Sequence, residues 1–310
     1  MDFRTDLALE RRDIYRKANQ IENEIPGVES EELQEGENIY TTKVKILDKQ
    51  GEEAIGKPAG TYVTIDIKNL KMAAEEEIEK AAVSVNRELQ DIISKHIEPE
   101  DDILVVGLGN LAVTPDSLGP KVVQDIDITR HLLKYAPQYL EENARPVSAI
   151  APGVLGTTGI ETQEILQGII ENVKPKMLIV IDSLASKSIE RISSSIQIAD
   201  TGIVPGAGVG NARKELSQNT LGIPVIAIGV PMVVEAATIA ADSLDLFIEK
   251  MQKQAKSNDF LNKLRDEDKY SAIKEALVEE KFDLIVTPKE IDDLIENMSS
   301  VVARGINKSL

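Results

Sequence analysis

Cysteine and tryptophan are absent from this 310-residue chain, and histidine occurs only at His96 and His131. Each absence removes a class of chemistry. A thiol protease needs a cysteine nucleophile. Disulfide staples, cysteine-bound zinc and CxxC redox chemistry need cysteine too. Two histidines cannot build a three-histidine zinc site, and they offer only two candidate bases for a Ser-His-Asp triad. Acid–base work is left to carboxylates, Lys or Tyr. Long apolar runs are also missing. The longest, Ile223–Val234, is interrupted by Pro224 and Pro231 and is too short to span a bilayer. The N-terminus, MDFRTDLALERRD, is charged from its second residue and lacks the apolar core of a signal peptide. A soluble cytoplasmic protein without a membrane partner is therefore expected. Bases are outnumbered, 35 against 53 acids, for a net charge of −18. Such a chain repels polyanions, so no direct nucleic-acid partner is expected.

What is present is unevenly spread. From Ile103 to Leu244 there are 24 charged residues in 142, against 64 in the other 168. The middle reads as a buried core, about 103–244, and the ends as peripheral. The first part predicts a helix over Asp6–Gln20, then a solvated acidic loop over Glu22–Glu37, which holds seven acids and no base. β-Branched alternation predicts strands at Ile39–Asp48 and Thr61–Ile67, joined by a loop, KQGEEAIGKPAG. Met72–His96 has the period of one long amphipathic helix. The middle alternates buried strands (Ile103–Gly107, Val147–Ala151, Met177–Asp182, Val225–Gly229) with helical stretches at Pro120–Tyr135 and Glu161–Val173. That βαβ alternation predicts an α/β fold with a mostly parallel sheet flanked by helices. Ser195–Asp200 is expected as an edge strand. A helix follows Val234 toward Gln254. The region 245–310 is expected to be a peripheral, charged helical tail, with a short apolar run at Phe282–Val286.

In open α/β sheets, catalytic groups gather beyond the carboxyl ends of the strands. Two acids fall there: Asp116, in the loop after ILVVG, and Asp182, at the end of MLIVI. Two carboxylates held close in a dry cleft resist ionising together, so one keeps its proton and the pair can divide acid and base roles. The blander alternative makes Asp116 a cap for a helix near Leu118 and Asp182 a turn cap; spacing leaves both readings open. Gly107-x-Gly109 lacks the third glycine of a dinucleotide fingerprint, since position 112 is Ala112. Pro205–Asn211 is a Gly-rich loop without a P-loop ending, expected to be a mobile surface or active-site loop. Arg213 and Lys214 read as a solvated pair, and His131 as a structural residue.

Taken in order, VGLGNLAVTPDSLGP, APGVLGTTGIET, VIDSLASKSIERISSSIQIADTGIVPGAGVGNARKE and IPVIAIGVPMVVEA resemble the germination proteases of spore-forming bacteria. The similarity includes the N-terminal FRTDLALE and covers essentially the whole chain. The sequence is also distantly similar to hydrogenase maturation proteases, which implies a shared α/β scaffold of the phosphorylase/hydrolase-like kind. The resemblance implies an endopeptidase that starts the breakdown of small acid-soluble spore proteins in the spore core. It implies catalytic aspartates at Asp116 and Asp182. No metal is expected, because neither histidine lies near those acids in sequence, and no cofactor is expected. Gly109, Asn110, Ser183 and Gly208 are the residues expected to support the active-site loops. It further implies a homotetramer made as a zymogen, cut between Asp6 and Leu7, so that 1–6 is a short propeptide and 7–310 a single peptidase domain. The alternatives are a hydrogenase-maturation-type peptidase, a non-enzymatic nucleotide-binding α/β module, and a purely structural spore protein. An acidic enzyme also suits substrates that coat DNA, because repulsion by the DNA favours attack on released protein.

Overall fold

The structure is a computed structural model that describes residues 5–68, 70, 74–140, 144–254, 273, 275 and 284–310. In chain order its elements are α1 (Ala8–Ala18), β1 (Val28–Glu35), β2 (Ile39–Ile46), α2 (Lys49–Ile55), β3 (Gly60–Ile67), α3 (Glu75–Ile93), β4 (Ile103–Gly107), α4 (Leu118–Gln124) and α5 (Arg130–Tyr135). There follow β5 (Val147–Ile150), α6 (Leu155–Thr158), α7 (Thr162–Val173), β6 (Met177–Ser186), β7 (Ser195–Ala199), α8 (Gln218–Leu221), β8 (Val225–Glu235), α9 (Ala236–Gln254), β9 (Ile285–Val286) and α10 (Ile291–Ser309).

The strands form one nine-stranded sheet in the order β1-β2-β3-β7-β8-β6-β4-β5, with β9 beside β8. Helices flank it, as the α/β class requires. Parallel pairing is confined to β8-β6-β4-β5; β1, β2, β3, β7 and β8 pair antiparallel. The difference follows the connections. Parallel neighbours need long crossovers, here through α4–α5 and α7, whereas β1, β2 and β3 follow one another with less chain between them. Within the parallel half, β4 has β5 on one side and β6 on the other. The order of growth reverses between β4 and β6, which opens a crevice at their carboxyl ends.

One face of the sheet packs on α3, α4 and α10. Val63 and Ile65 of β3, Val105 of β4, Ile179 of β6, Ile196 of β7 and Ile228 of β8 share that core with Leu89, Leu118 and Ile295. On the other face Leu166 of α7 covers Leu104, Val106, Leu178 and Val180, while Leu9 of α1 lies with Val44, Ile46 and Tyr62.

Several expectations are corrected. The acidic stretch is not all loop: Val28–Glu35 pairs residue for residue with β2 from Val28↔Ile46 to Glu35↔Ile39. As an edge strand it keeps most of its acids in solvent, which also blunts pairing with other chains. The KQGEEAIGKPAG stretch contains α2, capped by the Asp48 side chain on the Gly51 N–H and ended by Gly56 in the left-handed conformation. Pro120–Tyr135 is two helices, not one. β7 is not an edge but the interior strand that joins the two halves, between β3 and β8. The C-terminal region is not wholly peripheral, because Leu294, Ile295, Met298, Val301, Val302 and Ile306 of α10 are buried. Its amphipathic period was hidden by the charged residues on its outer face. Within the expected helical tail, residues 255–272, 274 and 276–283 lie outside the described residues. Among the described residues no helix is long and apolar enough to cross a membrane.

Candidate active site

Asp182 stands in β6 one residue past Ile181, which pairs with Gly107 at the end of β4. The Leu108 N–H donates to the Ile181 carbonyl at 2.8 Å, stitching the two strands at the mouth of the crevice. Asp182 is 5% exposed, and its carboxylate accepts the Ser183 N–H at 2.9 Å. Asp116 ends a single 3-10 turn, Thr114–Asp116, in the loop from β4 to α4. That turn is held from behind. The Asn110 N–H donates to the Asp116 carbonyl at 3.0 Å. Gly109 has φ +114°, and a Cβ there would lie 2.0 Å from the same oxygen, so the approach requires glycine. Asp116 does not cap α4: the N-cap position is Ser117, with no side-chain hydrogen bond.

The electrostatics separate the two acids. Burial pushes the Asp182 carboxyl well above the usual range, and the charges of Asp116 and Asp6 push it further; the Ser183 N–H opposes them. Burial also raises Asp116, opposed by the Asn110 N–H. Asp182 is the deeper group with two acidic neighbours. It is therefore the one that keeps its proton when the pair shares one.

The register extends the site across the sheet. Gly229 of β8 pairs with Asp182 on one side and with Gln197 of β7 on the other. Paired residues share a face, so Gln197 and Asp182 point the same way across a position with no side chain. Two strand spacings separate them, about 10 Å. The N-terminal segment docks at this place. The Asp6 N–H donates to the Ala185 carbonyl at 3.0 Å, and the Ala185 N–H donates to the Asp6 carboxylate at 2.9 Å. The Gln197 amide brackets the next peptide bonds. Its Nε2 donates to the Asp6 carbonyl at 3.2 Å, and its Oε1 accepts the Ala8 N–H at 2.7 Å. Leu7 and Ala8 are fully buried. Downstream, the Glu10 carboxylate accepts the N–H groups of Lys187 and Ser188 at 2.7 and 2.9 Å. Asp6, Leu184, Gln197 and Gly229 line one cavity of about 190 Å³. A larger cavity, about 770 Å³, is lined by Glu10, Asp66 and Arg191 among others and includes neither Asp116 nor Asp182.

The family model described as germination protease matches residues 6–263 and 252–310. The chain belongs to the germination protease family. It is 48% identical to the germination protease of Caldanaerobacter subterraneus subsp. tengcongensis, over 100% of this chain and 94% of that protein. It is 48% identical to that of Clostridium acetobutylicum, over 99% and 94%, and 42% identical to that of Bacillus cytotoxicus, over 99% and 93%. Family members are peptidases, so the chain is a hydrolase of peptide bonds. Among solved structures it is similar to the [NiFe] hydrogenase maturation protease HycI from Thermococcus kodakarensis, at 16% identity and a TM-score of 0.27. That similarity covers 46% of this chain and 80% of the other, and carries no argument about mechanism.

Of the residues singled out in this germination protease sequence, Asp116, Asp182, Asp6, Gly109 and Asn110 come together at the crevice. Gly208 joins them from the Gly-rich loop, because a Cβ on it would lie 2.0 Å from the Asp6 carboxylate. Ser183 is adjacent, its Oγ buried and without a hydrogen-bond partner among the described residues, but strand alternation turns it away from Asp182. His96 and His131 are exposed, and Lys214 pairs with Glu164 at 3.0 Å. Gln197 was not singled out from the sequence, and neither was Lys57, which lines the 190 Å³ cavity with Asp6. Gln197 left one signal: a polar residue inside SIQIA, flanked by isoleucines that face a core.

Proposed function

We propose that this peptidase is the endopeptidase that initiates degradation of small acid-soluble spore proteins during germination, with Asp116 and Asp182 activating water. The proposal is carried by a buried acid, Asp182, and a half-buried one, Asp116, placed at the β4/β6 crevice near enough for the charge on Asp116 to raise Asp182. In the cutting step the Asp116 carboxylate takes a proton from water. The water oxygen bonds to the carbonyl carbon, and Asp182 gives its proton to the carbonyl oxygen. The tetrahedral diol then collapses. Its C–N bond breaks, the nitrogen takes the proton held by Asp116, and a hydroxyl proton returns to Asp182 as the carboxyl product forms. Base and acid are assigned by burial alone: the deeper carboxyl holds the proton.

The same reading makes Met1–Asp6 a propeptide, cut from a single domain, 7–310, by the enzyme itself. Docking of Thr5–Glu10 beside Asp182 supports it, since Asp6 already touches β6 three residues from the proposed acid. The homotetramer and the spore-core location rest on the family resemblance. Exposed Leu246, Phe247, Leu284 and Ile285 are surface a second copy would cover, which light scattering of the purified chain checks. The central test is digestion of a purified small acid-soluble spore protein, with the products mapped by mass spectrometry. Cuts after an acidic residue, lost in Asp116→Asn and Asp182→Asn, are expected. Undiminished cutting by either folded variant would remove that residue from the mechanism.

A further inference from the structure

We infer that Gly119 is a positioning residue for the proposed reaction: its backbone contact with Gly107 sets how closely Asp116 approaches Asp182, and the C-terminal helix α10 holds that contact shut. The inference rests on the proposed roles of Asp116 and Asp182.

β4 ends at Gly107 and α4 begins at Leu118, so Asp116 lies in a loop whose two ends meet. A Cβ on Gly107 would lie 2.1 Å from the Gly119 carbonyl oxygen. One on Gly119 would lie 2.3 Å from the Leu108 carbonyl oxygen and 2.5 Å from the Leu108 nitrogen. Neither glycine has a positive φ. Space alone excludes a side chain, as where a helix start packs on a strand end. The obstacle at Gly119 is backbone that cannot yield, because the Leu108 N–H is bonded to the Ile181 carbonyl of β6 at 2.8 Å. The loop itself is stiff. The Val113 N–H donates to the Asn110 carbonyl at 3.0 Å, and the Asp116 N–H to the Val113 carbonyl at 2.8 Å. The buried Ser117 hydroxyl donates to the Thr114 carbonyl at 2.9 Å. Asp116 and α4 therefore move as one piece.

Helix α10 holds that piece from the far side. It lies against the Thr114–Asp116 turn, and Leu118 and Val122 of α4 share a core with Met298, Val301 and Val302. Glu296 pairs with Lys121. Asn307 clasps the end of α4: its Nδ2 donates to the Asp125 carbonyl at 2.9 Å, and its Oδ1 accepts the Asp127 N–H at 3.1 Å. A larger residue at 119 would push the start of α4 off β4 and carry Asp116 away from β6, where Asp182 stands. Loss of the Asn307 amide would loosen the same piece from its other end.

The experiment follows the rate of self-cleavage of the full chain against pH, by mass spectrometry, in wild type, Gly119→Ala, Asn307→Ala and Asp116→Asn. Gly119→Ala is expected to slow the cut about tenfold to a hundredfold, and Asn307→Ala about threefold. Both should also move the high-pH limb of the rate profile toward lower pH, by about half a unit or more in Gly119→Ala. The sign follows from the charges around Asp182, which faces Asp116, Asp6 and the Ser183 N–H. Asp6 is present in every variant as the residue being cut, so its contribution is constant. Withdrawing the charge of Asp116 lets Asp182 ionise at lower pH. A Gly119 that merely stabilises the fold would lower Tm and leave the limb in place, which overturns the inference. Asn307→Ala introduces no clash and gives the same reading through its limb if Gly119→Ala does not fold. Wild-type rate and limb in the folded Gly119→Ala chain, with Asp116→Asn inactive, overturns the positioning while leaving the proposed chemistry in place. A wild-type chain that never trims itself, or an Asp116→Asn chain that trims at the wild-type rate, would instead remove both.

Discussion

β5, β4, β6 and β8 run parallel and are tied together by crossover helices; β1, β2, β3 and β7 run antiparallel. The parallel half carries Asp116 and Asp182 at the point where its strand order reverses. The antiparallel half carries Gln197 on β7, and Lys57 on the connection into β3. The N-terminal segment lies between them, bonded to Ala185 of β6 and to Gln197. The contrast teaches a division of labour: the parallel half supplies the proposed chemistry and, through Ala185, one side of the peptide's dock, while the antiparallel half supplies the Gln197 clamp on the other side. Gly229 of β8, paired to both Asp182 and Gln197, has no side chain between the two, and Leu184 packs over it.

The division can be broken most forcefully from the parallel side. Asp182→Asn and Asp116→Asn should each cost about a thousandfold or more in cleavage rate, measured on a spore-protein substrate, with circular dichroism unchanged. The two halves nevertheless share one core, since α10 packs beneath strands of both. Ile295→Ala should therefore lower stability by about 2–5 kcal/mol, read by denaturant unfolding. The transition should remain single; two separate transitions would mean that the halves are independent domains. From the antiparallel side, Gln197→Ala should slow self-cleavage about tenfold, the scale of a lost peptide clamp, without changing the pH profile. A change in the profile would give Gln197 a part in the proton transfers and blur the division.

The smallest effect expected is on stability against pH. The Asp182 carboxyl is raised in the folded chain by burial and by Asp116 and Asp6. Between the ordinary carboxyl range and that raised value, the folded state holds a proton that the unfolded state has released. Stability due to this group is full below the ordinary range and is lost as pH rises through the raised value. Asp182→Asn lacks that loss. Its Tm should exceed wild type at neutral pH, and the excess should shrink on acidification toward the ordinary carboxyl range.

The parallel half was legible because its strands are uniformly apolar and because few acids stand at strand ends. Asp116 and Asp182 could thus be picked from 53 acids. The antiparallel half was only partly legible. β2 and β3 alternate visibly, but β1 carries acids on an exposed edge and looks like solvated loop. β7 is five residues long, so its burial on both sides depends on partners distant in sequence. α10 hid a core stripe behind charged neighbours. Gln197 and Lys57 could not be found from spacing, because strand register and a loop crossing, not local pattern, bring them to the cavity beside Asp6.

The most direct measurement is the N-terminal mass of the purified chain against its Asp182→Asn variant after incubation together under identical conditions in separate tubes. The wild-type chain is predicted to begin at Leu7 and the variant to keep Asp6. A folded Asp182→Asn chain trimmed to Leu7 at the wild-type rate would contradict the account, because the bond gripped by Gln197 would then be cut without the acid at the crevice.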